Sequence, residues 1–303
     1  MKPLHLDQLR TLVAVVDLGS FDAAAAHLHV TQSAVSQRIR ALEDSAGRIL
    51  VRRDRPVSPT ASGEALLRTA RQMLHLEESL GHELGGGDDE AGGHVALAVA
   101  CNADSLATWF LDAMAAVHAS GRVVFDVRRE DASLSTPLLR RGEVMAAVTS
   151  EAHPVQGCRS LPLGAMRYLA CASPSFVGRH LAVGSPASGL GRAPVVDFDR
   201  SDGHQSRHYR RLTRRDPTGP RHYVPSSHDH LRAIGAGLGW GLLPEQLAAP
   251  GLASGDLVEL SPDRPLDVPL YWQHWKLHSP ALDALTDAVR ATASAALRPP
   301  GRP

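Results

Sequence analysis

Residues 20–44, SFDAAAAHLHVTQSAVSQRIRALED, hold this chain to a narrow set of folds. Ser20 and Thr31 are N-cap residues placed just before two helix-forming stretches. In the second stretch Val35, Ile39 and Leu42 repeat at i, i+4 and i+7, one apolar stripe on an otherwise polar helix. Only the short turn around His29-Val30 separates the two, which predicts a helix-turn-helix. Upstream, Leu6, Leu9, Leu12, Val13 and Val16 predict a first helix with one apolar stripe, and Gly19 a C-terminal stop. The polar face of the third helix carries Gln32, Ser33, Ser36, Gln37 and Arg40. Gln pairs bidentately with adenine, Ser donates or accepts at either base edge, and Arg reaches guanine or phosphate. LVRRDRPVSPT follows as a short hairpin-like element suited to resting on phosphates. The same pattern also suits a solvated helix face in another α-helical domain, so the residues alone leave both readings open.

Charge sharpens this. The 303 residues carry 32 Lys+Arg against 32 Asp+Glu, which argues against a uniformly basic nucleic-acid coat. The balance is local, however, and fields act over roughly a Debye length of 8–10 Å. Residues 31–55 are net +3, residues 56–93 net −5 and residues 203–222 net +5. The length suggests about two domains. Three cysteines (Cys101, Cys158, Cys171), none in C-x-x-C spacing, make no disulfide framework. Asp7 and Arg10 interrupt any signal-peptide core, and no apolar run is long enough for a membrane span. The expectation is a cytoplasmic protein with no membrane partner.

From Thr60, Leu66, Ala70, Met73, Leu80 and Leu84, flanked by Leu67 and Leu74, form an apolar seam along a helix of over twenty residues, interrupted at Glu77. Such a helix needs a partner, either its own domain or a second chain. GGGDDEAGG (85–93) reads as a flexible hinge after it.

Beyond the hinge, apolar runs at 94–100, 123–127, 144–148, 168–172 and 194–198 alternate with helical stretches such as 105–118 and 132–142. This predicts α/β units with parallel pairing, whose ligands bind beyond the carboxyl ends of strands. The first strand runs out at Cys101-Asn102-Ala103-Asp104-Ser105, where Ser105 and the following N–H groups suit a carboxylate. GAGLGWG (235–241) lies between a helix and a short strand, the reverse of a dinucleotide fingerprint, and reads as a turn needing positive φ. His204/His208 and His228/His230 lack partners at recognised metal-ligand spacing, so no metal and no cofactor is expected. No G-x-S-x-G, H-E-x-x-H or phosphate loop occurs, so an enzyme is not expected either.

The string from Leu9 to Glu64, with GSFDAAAAHLHVTQSAVSQRIRALE and SPTASGE, closely resembles the winged helix-turn-helix of the LysR-type transcriptional regulators. That resemblance implies DNA contact by Thr31, Gln32, Ser33, Ser36, Gln37 and Arg38, with Arg53 in the wing, and a dimerising linker helix. NADSLATW (102–109), RRGEV (140–144), LACASPSF (169–176), APVVDFD (193–199), LASGDLVEL (252–260) and LYW (270–272) look like the branch of that family that responds to lysine and arginine, known as ArgP/LysG. The implied architecture is an α+β multidomain fold. A winged helix-turn-helix at 1–60 would lead through a linker helix and hinge at 61–91 to a periplasmic-binding-protein-like effector domain at 92–303. Its first subdomain would be 92–166 plus 268–297 and its second 167–267.

A basic amino acid demands donors for its carboxylate and acids for its two cations. Candidates at the expected strand ends are Asn102, Asp104, Ser105, Glu130, Asp131, Thr149, Ser150, Asp197, Asp199, Ser226 and Ser227. Pro225 stands where the branch usually has Asn, and QSRHYRRLTRRDPTGPR replaces a more neutral stretch. That basic island has three readings: a solvated face, a subunit contact or an auxiliary contact to DNA backbone. The resemblance implies a homodimer or homotetramer on double-stranded operator DNA that recruits RNA polymerase and activates an exporter gene for lysine or arginine. The rivals are a regulator answering another small molecule and an architectural or replication-origin-binding protein without effector control.

Overall fold

The structure, a computed structural model, describes residues 3–84, 94–119, 121, 123–131, 135–181 and 189–299, with backbone alone for 82–84. The expected hinge at 85–93 lies outside the described residues, as do Leu84's side chain and the first residues of the helix expected at 132–142.

The N-terminal unit is α1 (Leu6–Asp17), α2 (Phe21–His27), α3 (Gln32–Ala46), a two-stranded wing of β1 (Val51–Arg52) and β2 (Ser58–Pro59), and the long α4 (Ala61–Leu84). Caps fix the boundaries as the sequence indicates. Ser20 accepts from the N–H of Ala23 at 3.0 Å and Thr31 from that of Ala34 at 3.2 Å. Gly19 ends α1 at φ +68°, and Val35, Ile39 and Leu42 are fully buried. The stripe on α1 is rotated from the one expected. Leu9, Leu12 and Val15 are buried, whereas Leu6 is exposed and Val13 and Val16 are half-buried, because α1 is packed by both α3 and α4. Gly63 in the first turn of α4 sits on the wing; a Cβ there would lie 2.0 Å from the Leu50 carbonyl oxygen.

The C-terminal unit is built on one mixed sheet. β3 (Val95–Cys101) pairs in parallel with β4 (Val123–Arg129) and β5 (Ala146–Thr149), as the alternating pattern indicates. The rest is antiparallel, which the pattern does not indicate: β6 (Cys158–Ala172) and β11 (Leu266–Trp275) pair along their length, and β11 also pairs with β5. β6 is fifteen residues long, three times the run read at 168–172. Its second end pairs with β9 (Gly241–Pro244) and β10 (Val258–Glu259). β6 and β11 are therefore the two strands that cross between halves. β7 (Val195–Asp197) and β8 (Arg221–Tyr223) form a separate parallel pair, bridged to the β9 region by Val195 and Trp240.

The helix expected at 105–118 is α5 (Ala103–Ser105), a π-helical turn over Leu106–Phe110 and α6 (Leu111–Ala119). Among the described residues follow α7 (Ser135–Arg141), α8 (Pro174–His180), α9 (His204–Thr213), α10 (Ser227–Gly235), α11 (Glu245–Ser254) and α12 (Pro280–Ala296). Trp109, Phe110, Trp272 and Trp275 pack with α12 in the core of the first half. GAGLGWG is the α10-to-β9 turn, with Gly237 at φ +79°. Among the described residues no helix is long and apolar enough to cross a membrane.

Candidate functional site

Two places have the chemistry of a site. The first is the exposed face of α3 with the wing. Thr31, Gln32, Ser33, Gln37 and Arg40 are exposed there, and Ser36 and Arg38 are half-buried. Val35, Ile39 and Leu42 anchor the opposite face, so these polar groups project from a rigid helix. Arg38 lies 3.8 Å from the Asp7 carboxylate. Arg53 stacks its guanidinium 5.2 Å over the Phe21 ring, which positions the wing's cation against the start of α2. An exposed polar helix beside an arginine-rich two-stranded wing matches a major groove flanked by phosphates.

The second is a cavity of about 540 Å³ at the carboxyl ends of β3, β4 and β7, between the two halves of the C-terminal unit. Of the expected effector residues, Asn102, Asp104, Glu130, Asp131, Ser150, Asp199 and Ser227 line it. Four others do not. Ser105 is buried behind the wall; Thr149 turns its hydroxyl to the N–H of Glu151 at 3.1 Å; Ser226 is spent as the N-cap of α10. Asp197 is 1% exposed and ion-paired with Arg221, which also donates to Ser206 at 2.7 Å. Burial raises the Asp197 pKa although Arg221 opposes the shift.

Asp104 organises the cavity. Its carboxylate accepts from Ser227 Oγ at 2.6 Å and from Tyr168 Oη at 2.9 Å, joining α5, β6 and the N-terminus of α10 across the cleft. Burial, then the Asp104 charge, pushes the Tyr168 phenol far above its usual range, so it stays a donor. The Tyr168 ring stacks on His204 at 5.3 Å. Gln205 donates to the Val196 carbonyl at 3.1 Å, leaving its own Oε1 buried without a partner. His230, 4% exposed, has no well-formed hydrogen bond at either ring nitrogen, though the backbone of Asp197 and Leu242 lies close by. Burial lowers its pKa, which keeps it neutral.

The sequence reading did not find Arg129, Tyr168, Asp202, His204, Gln205, Arg207 or His230, all of which line the cavity. His204 and His230 had been weighed only as metal ligands; among the described residues no group of three metal-type side chains comes together. For these two histidines the usable signal was position: His204 and His230 each stand in the first turn of a helix that follows a strand end. The basic island is partly absorbed, since Arg221 holds Asp197 and Arg207 faces the cleft. Arg210, Arg211, Arg214 and Arg215 remain exposed.

Comparison with known proteins follows the same division. Residues 6–64 match the helix-turn-helix of bacterial regulatory proteins of the lysR family, and residues 89–294 match the LysR substrate-binding domain. The chain is 50% identical over 291 residues to the HTH-type transcriptional regulator LysG of Mycobacterium tuberculosis, covering 96% of this chain and 94% of that one. It is 45% identical to the lysine export transcriptional regulatory protein LysG of Corynebacterium efficiens, over 98% of this chain and all of that one. The crystal structure of ArgP from M. tuberculosis superposes with a TM-score of 0.87 at 49% identity, covering 98% of this chain and 100% of that one. Full-length LysG from Corynebacterium glutamicum, solved with bound effector arginine, gives 0.80 at 40% identity with the same coverage. With a helix-turn-helix at one end and a ligand-sized cleft at the other, this chain belongs to the LysR family of bacterial transcriptional regulators.

Proposed function

We propose that the cleft senses a basic amino acid, arginine or lysine, and that its occupancy controls transcription of an exporter gene for that amino acid. The observation that carries this is the cleft's acidity around a fixed carboxylate. Among the described residues, Asp104, Glu130, Asp131, Asp199 and Asp202 face it against only Arg129 and Arg207. Asp104, from the first half, is held facing the cleft by two hydroxyls of the second, Tyr168 and Ser227. A held carboxylate at the floor selects a cation, and a cavity of about 540 Å³ accommodates an amino acid with a long side chain. The likeness to relatives named for lysine export, and to one solved with arginine, points the same way.

On this reading residues 1–60 are the DNA-binding domain, 61–91 the linker and 92–303 the effector domain, with subdomains 92–166 plus 268–297 and 167–267. Thr31, Gln32, Ser33, Ser36, Gln37, Arg38 and Arg53 contact the operator. The protein acts in the cytoplasm as a homodimer or homotetramer and passes its response to RNA polymerase. No catalytic role is proposed.

Isothermal titration with L-arginine, L-lysine and L-histidine tests the sensor. Binding of at least one, with Asp104→Asn weakening it about tenfold or more, is the expected result; losing a charge-assisted hydrogen bond is worth about 1.5–3 kcal/mol. Silence with all three amino acids overturns the amino-acid reading.

A further inference from the structure

The cleft and the DNA-reading helix stand at opposite ends of the chain, and one side chain touches the machinery of both. Arg71, on α4, is largely buried, with 13% of its side chain exposed. One arm of its guanidinium pairs with the Asp17 carboxylate at the last residue of α1. The other donates to the carbonyl of Arg141 at 2.5 Å, the last residue of α7. A cation thus sits between two helix C-termini, where unpaired carbonyls and the negative ends of the helix dipoles favour it. α1 carries no basic residue of its own in its last turn.

These helices are not arbitrary. α1 packs on α3, the helix with the polar face. α7 begins just after Glu130 and Asp131 at the cleft rim, and its Ser135 is tied to the Val148 carbonyl of β5. The contact around Arg71 is close: Gly142 takes φ +71°, and a Cβ there would lie 2.9 Å from the Arg68 Cα on α4. On one flank Arg10 of α1 pairs with Glu77 of α4 at 2.6 Å. On the other, the buried His75 of α4 meets the buried Ser279, N-cap of α12, at 2.9 Å. α4 is therefore seated on the effector unit by specific contacts, and Arg71 alone among them bonds both units at once.

We infer that Arg71 is a positioning residue, the joint through which the cleft sets the orientation of the DNA-reading head. It rests on the sensing role proposed above for the link to effector, but the joint itself makes a claim that needs no ligand. A chain of contacts runs from β5, which ends beside Ser150 at the cleft, through Ser135 and Arg141 of α7 and through Arg71 to the end of α1. A shift of α7 on closure of the cleft changes the Arg141 carbonyl's place, and the guanidinium must release one partner or carry α1 with it.

The test has two arms. Spin labels at Asp44→Cys on α3 and Asp112→Cys on α6 report head-to-sensor distance in protein diluted with unlabelled chains; the three native cysteines are all buried. Without added amino acid, the parent is expected to give a narrow distance distribution and Arg71→Ala one at least twice as wide. An unchanged width overturns the proposal. Asp17→Asn, which removes only the head-side charge of a half-exposed residue, is expected to broaden it too and carries the test if Arg71→Ala does not fold. In the second arm, Arg71→Ala is expected to keep parental affinity for L-arginine while the arginine-dependent change in operator affinity shrinks at least fivefold. A variant that retains the full arginine response overturns the joint. If the parent itself ignores arginine, the proposed effector fails, and the width measurement still decides Arg71.

Discussion

His208 shows how a single buried residue writes a pH dependence into the whole chain. It is 1% exposed on α9, its Nε2 lies 3.0 Å from Ser261 Oγ, and its ring stacks near Trp240. Burial, then the charge of Arg211, brings its pKa down to about 4 from the ordinary 6.5. The unfolded chain therefore takes up a proton below about pH 6.5 that the folded chain refuses until about pH 4. Stability conferred by this residue is complete above pH 6.5 and is lost as the pH falls through that window. At pH 5 the loss from His208 alone is about 2 kcal/mol, at 1.36 kcal/mol per pH unit. Burial also lowers the pKa of His75, His230 and His274, so their contributions have the same sign. Urea unfolding at pH 7 and pH 5 measures this, and His208→Gln, which can still reach Ser261, should lose visibly less stability between them. An identical pH slope in the variant would show that His208 does not titrate as its surroundings require.

At the scale of elements, the proposed reading divides the work of DNA binding between α3 and the wing. Gln32 is exposed at the first position of α3, where its amide would pair with a base edge, whereas Arg53 belongs to the wing, where its charge would meet phosphate. Gln32→Ala should cost about 1–3 kcal/mol on the operator and little on random duplex. Arg53→Ala should weaken both alike and flatten the salt dependence. Equal losses on the two DNAs for Gln32→Ala would remove its base-reading role. These elements were legible in the sequence because their determinants are local: caps at Ser20 and Thr31, and three apolar residues one helical face apart. Where neighbours far along the chain decide, legibility fades. The buried stripe of α1 turned from Val13 and Val16 to Val15 because α4 covers a face that periodicity alone could not choose. β6 and β11 were hidden for a related reason. They run through one sheet from one half of the unit to the other, and Pro162, Gly164 and Pro269 interrupt the alternation that would mark them as strands.

The whole molecule leaves one surface unfinished, and it bears on how the two ends work together. The cleft was half legible. Asp104 announced itself at a strand end, but Tyr168, Gln205 and His230 reach it only through strand crossings and helix starts that no local pattern records. The seam on α4 was legible as a seam, and the structure splits it. Leu67 and Ala70 are buried against α1, while Met73, Leu76 and Leu80 are 42%, 41% and 52% exposed at i, i+3 and i+7. Leu76 was not among the expected seam residues. Such a row of exposed apolar side chains on one long helix calls for a matching helix, and in the proposed homodimer a second copy would supply it with two-fold symmetry. Each copy would bring one reading helix, so pairing converts two half-site contacts into one operator contact. Replacing Leu76 and Leu80 together by Glu puts like charges across that seam while touching neither the cleft nor α3. The variant should elute as a monomer in size-exclusion chromatography with light scattering and bind arginine as the parent does. Its affinity for a two-half-site operator should fall at least about 100-fold, the scale on which a tethered second contact strengthens binding. An unchanged oligomer would place the dimer contact elsewhere, and a monomer with full operator affinity would break the link between pairing and DNA recognition.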